Sequence, residues 1–219
     1  MIPTPSDAAA RTDIPPATTW THKLARILVL PLVGTGVTPN HLTTLRLVTG
    51  LGACAAVALG TPAGNAWAGG LWLLSAFLDR ADGELARVGD MMSPGGHAYD
   101  YASDVIVNAL IFLAVGIGLR HSWLGMAAIP IGLAATASML VCWVTGEVYQ
   151  KLLGSGQKAY AGRWGFDLDD GLYLLAILIW LNLMSYILIA AAAVSGVMAV
   201  VIVVRLLRLR SKRKLEALA

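Results

Sequence analysis

Four aspartates, Asp79, Asp82, Asp100 and Asp104, are the residues of this chain whose type and spacing most clearly suit chemistry. Asp79 and Asp82 stand three apart and Asp100 and Asp104 four apart, separations that project both members of a pair onto one face of a helix. The stretch between the pairs, from Arg87 to Gly95, is short. The two helices should therefore be antiparallel neighbours, with all four carboxylates gathered at one end. Carboxylates this close cannot all ionise cheaply, and in apolar surroundings each costs about 2.5–3.5 kcal/mol at a bilayer centre. Two bland readings are ion pairing to Arg80 and Arg87 as structural glue, and simple hydration at a membrane surface. The ordered spacing favours a third, in which the acids are hard oxygen ligands for divalent cations. With no cysteine near and only His97 among them, Mg²⁺ or Mn²⁺ fits better than zinc.

Small residues and one cation surround these acids. Gly83 and Ala86 lie four and seven positions after Asp79, and Gly96 lies four before Asp100. By themselves they would signify close helix packing; beside a metal cluster they also let a flat group such as a nucleobase approach the backbone. Arg87 puts a cation at the helix end, suited to phosphate oxygens. Two metals held by carboxylates, with an arginine, suit displacement at a phosphoryl centre. His97 is read as a bystander.

The elements that must position these groups are membrane helices. Of 219 residues, 57% are hydrophobic and 13% charged, with a mean hydropathy of +0.69. A soluble domain has about 25% charged residues, and long disordered chains are poor in apolar ones. Alternating segments of the kind an outer-membrane barrel needs are absent. The expected fold is an all-α membrane protein with six transmembrane helices, near 40–60, 65–87, 95–119, 123–150, 167–182 and 184–206. The break from Asn182 to Ser185 is the weakest boundary. Residues 1–19 read as a cytoplasmic tail and 20–36 as an amphipathic interfacial helix, with Lys23 and Arg26 beside Leu24, Ile27, Leu28 and Leu30. Residues 37–206 form the catalytic domain, and 207–219 a basic tail read as an anchor on anionic lipid, with no nucleic-acid partner. The connections near Gly60–Asn65 and Leu181–Ser185 lack Lys and Arg, and the one near Arg120 has a single Arg. The positive-inside rule therefore puts the site and both termini in the cytoplasm, with a bacterial inner membrane as the expected location. Cys54 and Cys142 support neither a disulfide framework nor a zinc site.

The run Asp79-Arg-Ala-Asp82-Gly83-Glu-Leu-Ala86-Arg87, then Gly96, Asp100 and Asp104 at the required gaps, resembles the CDP-alcohol phosphotransferase signature at all eight fixed positions. The resemblance implies a six-helix, commonly dimeric intramembrane enzyme open to the cytoplasm. Such an enzyme cleaves the pyrophosphate of a CDP-linked alcohol, releases CMP and joins the phosphoryl group to an acceptor alcohol. By motif position, Asp79, Asp82 and Asp100 would bind two Mg²⁺ or Mn²⁺ ions. Asp104 would be the general base while also touching metal, and Gly83, Ala86, Arg87 and Gly96 would line the cytidine diphosphate site. A second patch, Thr38-Pro39-Asn40-His41-Leu42-Thr43, is similar to the family's nucleotide-contacting segment and nominates Asn40 and Thr43. Asn40 could instead cap the first span. Ser93 is a further nucleotide candidate.

Residues for the acceptor are less defined. Arg46, one turn after Thr43, is an intramembrane cation that needs a partner. Lys151, Lys158 and Arg163 could hold an acceptor phosphate, whereas Asp169-Asp170 would suit an amine, and Glu147 and Asp167 lie near the same connection. The preferred donor is CDP-diacylglycerol, with a phospholipid as product; CDP-choline or CDP-ethanolamine with diacylglycerol as acceptor uses the same signature. Two rival classes are an intramembrane prenyltransferase and a carboxylate-based ion transporter. Neither accounts for Gly83, Arg87 and Gly96.

Overall fold

Three of the helix starts follow from one local rule. Thr38-Pro39, Thr61-Pro62 and Ser93-Pro94 each place a hydroxyl residue at the cap and a proline at the first helical position. There proline's missing N–H removes nothing and its fixed φ is already helical. The side chain of Thr61 accepts from the Gly64 N–H and that of Ser93 from the Gly96 N–H. Asn40 is thus inside the helix, and Thr38, not Asn40, is the capping residue.

The computed structural model describes residues 19–153 and 171–216, and among them all regular structure is helical. A short helix α1 (Trp20–Val29) precedes α2 (Pro39–Ala58), α3 (Pro62–Val88), α4 (Pro94–Gly118), α5 (Ala128–Leu153), α6 (Gly171–Trp180) and α7 (Met184–Glu216). Helix α7 continues through the residues expected to form the basic tail, because no glycine or proline interrupts the chain after Gly196. Helices α6 and α7 are separate, with Asn182 between them in the left-handed region at φ 58°.

Among the described residues, four stretches are long and apolar enough to cross a membrane: Pro39–Ala58, Pro94–His121, Gly125–Tyr149 and Met184–Ser211. Helix α3, at 27 residues, is also long enough. However, its last turns carry Asp79, Arg80, Asp82, Glu84 and Arg87, and Gly, Asn and Trp dilute its first half. Many outward side chains are large and apolar, among them Val48, Trp67, Leu133, Val144, Val197 and Val200, as suits a lipid environment.

Helix α2 packs against α3 and α4, α4 against α5, α5 against α7, and α3 also against α1 and α6. The main core, including Ala53, Val57, Ala68, Trp72, Ile111 and Val115, fills the half of the bundle away from the aspartates. Trp72 donates its indole N–H to the Leu172 carbonyl at 2.8 Å, and the Tyr173 hydroxyl donates to the Ala76 carbonyl at 3.2 Å, tying α6 to α3. Thr19 caps α1 by accepting from the His22 N–H.

The α4–α5 crossing needs the absence of side chains at two facing glycines. A Cβ on Gly132 would lie 2.6 Å from the Phe112 carbonyl oxygen, and one on Gly116 would lie 2.6 Å from that of Ala128. Backbone cannot yield as a side-chain tip can. Gly132→Leu should therefore lower the unfolding temperature in detergent by several degrees, a loss of about 1–3 kcal/mol or more. Gly146→Ala, with open space around its Cβ position, should leave it within about one degree.

Candidate active site

The acidic helix face of α3 and the first turns of α4 meet the start of α2. One carboxylate oxygen from each of Asp79, Asp82 and Asp100 lies within 4.8 Å of the others. Asp82 is buried, and its Oδ2 accepts from the Thr43 hydroxyl at 2.7 Å. Asp104 stands beyond this trio. Its Oδ1 pairs with the Arg46 guanidinium, and the Asn108 amide lies 3.4 Å away.

Arg46 joins all of these. Only 3% exposed, it sends one guanidinium nitrogen to Asp79 at 3.2 Å and to Asp100 at 3.1 Å, and the other to Asp104. The Ser75 and Thr49 hydroxyls both donate to the Arg46 carbonyl at 3.0 Å, fixing this turn of α2. Arg80 approaches the other oxygen of Asp79 at 3.9 Å. The single intramembrane cation of α2 thus serves three of the four acids.

Beside the carboxylates opens a cavity of about 450 Å³. Its wall includes Asn40, Thr43, Gly83, Ala86, Arg87, Ser93 and Gly96, together with Asp82 and Asp100. All seven positions nominated for a nucleotide therefore share one space with two of the acids. Pro39, Met91, Met92, Pro94 and His97 complete it. The prolines mark the N-termini of α2 and α4, so two helix ends of positive partial charge flank the cavity.

The turn from α3 to α4 shapes this wall. The Gly89 N–H donates to Leu85 and the Met91 N–H to Ala86, each at 2.9 Å, a Schellman stop with Asp90 in the left-handed position at φ 51°. Two glycines keep the space open. A Cβ on Gly96 would sit 2.9 Å from Ser93 Oγ and 3.3 Å from Asn40 Oδ1, and one on Gly83 would sit 3.3 Å from the Arg87 guanidinium.

Sequence reasoning passed over Glu84. It is 1% exposed and receives Arg26 Nε at 2.7 Å, Arg87 at 2.8 Å and His22 Nδ1 at 2.9 Å. Burial, with Arg80 and Arg87 nearby, pushes His22 below its ordinary pKa. Its Nδ1 thus lies between the Glu84 carboxylate and the Arg87 guanidinium, 3.4 Å from the latter. A carboxylate inside an expected span, three residues before Arg87, was the available signal. On α5, Glu147 bonds the Tyr101 hydroxyl, and Tyr101 stacks on Trp143 with centroids 5.6 Å apart. The Lys151 side chain, and Lys158, Arg163, Asp167, Asp169 and Asp170, lie outside the described residues.

The donor set at the acidic centre is made of oxygens alone, three of them convergent, which suits a hard divalent cation. The sequence model of the CDP-alcohol phosphatidyltransferase family matches residues 36–198. The chain belongs to this family, whose members transfer a substituted phosphoryl group from a CDP-alcohol to an acceptor alcohol. No match is found among curated proteins.

The role of Arg46 as internal counter-ion can be measured directly. Removing one partner of a buried ion pair costs about 3–5 kcal/mol, and here three carboxylates would lose their shared cation. Arg46→Met in EDTA should unfold at clearly lower denaturant or temperature than the parent. Added Mn²⁺ should stabilise the variant more than the parent. Equal unfolding midpoints in EDTA would refute the counter-ion role.

Proposed function

We propose that this chain transfers a phosphatidyl group from CDP-diacylglycerol to an acceptor alcohol, releasing CMP. The observation that carries this reading is the cavity in which Asn40, Thr43, Gly83, Ala86, Arg87, Ser93 and Gly96 open directly onto Asp82 and Asp100. In this reading six helices span a bacterial inner membrane. Residues 37–206 are the catalytic domain, α1 lies in the interface, and the site and both termini face the cytoplasm. The chain works as a homodimer.

Asp79, Asp82 and Asp100 would hold two Mg²⁺ or Mn²⁺ ions, with Asp104 beside them. When bound, these ions would supply Lewis-acid stabilisation of the bridging phosphate oxygens and of departing CMP. Charge arithmetic supports the pairing. Fully ionised, the four aspartates outnumber Arg46 and Arg80 by two negative charges. Two divalent ions would leave two positive charges, which the two negative charges of a CDP-linked diphosphate cancel.

The protein's own groups do the rest. Thr43 orients Asp82 through its hydroxyl. Gly83 and Gly96 keep side-chain bulk out of the cytidine space, with Asn40 and Ser93 at its rim. Arg87 and the N-termini of α2 and α4 draw the diphosphate toward the acids. Asp104 takes the acceptor hydroxyl's proton as general base. Arg46 holds Asp104 in place and, with Lys151, Lys158 and Arg163, is the candidate group facing a charged acceptor. Family membership argues against the prenyltransferase and ion-transporter readings, and a CDP-aminoalcohol donor remains the alternative within the family.

Asp79→Asn and Asp104→Asn should each reduce Mn²⁺-dependent CMP release from CDP-diacylglycerol by at least about 10²-fold, the size of a general-base or charge-stabilising contribution. Both variants should still elute as folded protein in detergent. Near-normal turnover by either would falsify its assigned role. Incubation with CDP-diacylglycerol, CDP-choline and prenyl diphosphate in parallel, against a panel of alcohols with lipid mass spectrometry, identifies donor and acceptor.

A further inference from the structure

Arg87 sits at a boundary. At about 100° per residue along α3, Asp82, Asp79 and Gly83 fall on the cavity side and Glu84 on the side facing α1, with Arg87 between them. Its guanidinium can be drawn either way. On one side lies the cavity it lines; on the other lies Glu84, 2.8 Å from it. Glu84 is a full negative charge with 2% of its side chain exposed, so it needs more than one partner. Helix α1 supplies the others, Arg26 at 2.7 Å on Oε2 and His22 at 2.9 Å on Oε1. Arg26 is the permanently charged group that α1 places on Glu84, closing on Oε2 while His22 and Arg87 share Oε1.

We propose that Arg26 is a positioning residue for the donor site: by neutralising Glu84 it leaves the charge of Arg87 available to a diphosphate in the cavity. The inference rests on the nucleotide assignment of that cavity and extends it to α1, which lies outside the residues matched by the family. With Arg26 present, Glu84, Arg26 and Arg87 carry one net positive charge, and Arg87, 32% of its side chain exposed against 22% for Arg26, is the more open of the two cations. Without it, Glu84 and Arg87 form a closed neutral pair and the cavity loses a cation. The same helix turns Trp20, Leu24, Ile27 and Leu28 outward, an apolar face suited to the bilayer interface. Seating α1 on the membrane and charging the donor site thus use one structural contact.

The prediction separates charge relief from simple support. Arg26→Gln should weaken binding of CDP, measured by calorimetry on the full-length detergent-solubilised protein with Mn²⁺, by about tenfold, the size of one charge-assisted hydrogen bond. Arg26→Gln combined with Glu84→Gln should recover affinity to within about threefold of the parent. In that double variant the side-chain amide that replaces the carboxylate still accepts from Arg87, but no longer captures its charge. Arg26→Lys should retain most of the affinity, and Arg26→Met, which keeps the apolar stem, replaces Arg26→Gln if glutamine impairs folding. Unchanged CDP binding by Arg26→Gln overturns the inference and leaves the donor assignment standing. So does failure of the double variant to recover while its unfolding temperature matches the parent's. A parent protein that neither binds CDP nor releases CMP overturns both.

Discussion

One guanidinium in an apolar bundle sets the terms for everything around it. Arg46 meets Asp79, Asp100 and Asp104 from a position almost closed to solvent. Carboxylates and arginine alike are expensive in such surroundings unless paired. The pairing draws three helices together at an end where only a small apolar cluster around Ala81, Leu85 and Leu42 supports them, since the main apolar core fills the opposite half. To that cluster the half near the aspartates adds polar contacts: Thr43 to Asp82, Arg46 to three acids, and Ser75 and Thr49 to the α2 backbone. Polar networks of this kind fix geometry more sharply than greasy packing does, because each member left unpaired is costly.

That convergence explains the cavity's position and its charge. Helices α2 and α4 both begin beside it, each with a proline at the first helical position, and α3 ends beside it in a Schellman stop. Two N-termini and Arg87 make the mouth attractive to anions, while the acids at its base repel them. A ligand that satisfies both must bring negative charge at one end and accept cations between itself and the aspartates. A nucleoside diphosphate with divalent metal meets that description, and an isolated anion or cation does not.

Spacing made the centre legible. The three- and four-residue intervals of the aspartates, with Gly83, Arg87 and Gly96, already place the right side chains on single helix faces, but the two acidic helices, expected as packed antiparallel neighbours, instead each pack on α2. The expected starts at 40, 65 and 95 lie within three residues of the observed ones at Pro39, Pro62 and Pro94, but the Thr-Pro and Ser-Pro caps that set them were not used. Less was legible where partners come from distant sequence. Arg46 was visible as a cation in need of a partner, yet nothing local says that it serves three acids on two other helices. Glu84 was hidden for the same reason: its partners on α1 lie about sixty residues away. The expected span 184–206 says nothing of the basic residues after it, which α7 takes into the same helix. Charged residues with long aliphatic stems continue a helix well, and only a breaker would have ended it.

Helix α3 carries two sets of acids that differ in fate because they face different neighbours. Asp79 and Asp82 look toward α2 and α4, where one arginine is shared among several carboxylates and a deficit of positive charge remains for a metal to fill. Glu84 looks toward α1, where Arg26 and His22 join Arg87 of its own helix around it. A carboxylate left short of cations is a binding site, and one fully supplied is a structural joint. The contrast arises from helical phase alone, two residues past Asp82. It also explains why one helix can hold five charges without falling out of the bundle: each faces a partner, and its unbalanced cluster lies where a doubly charged ion fits.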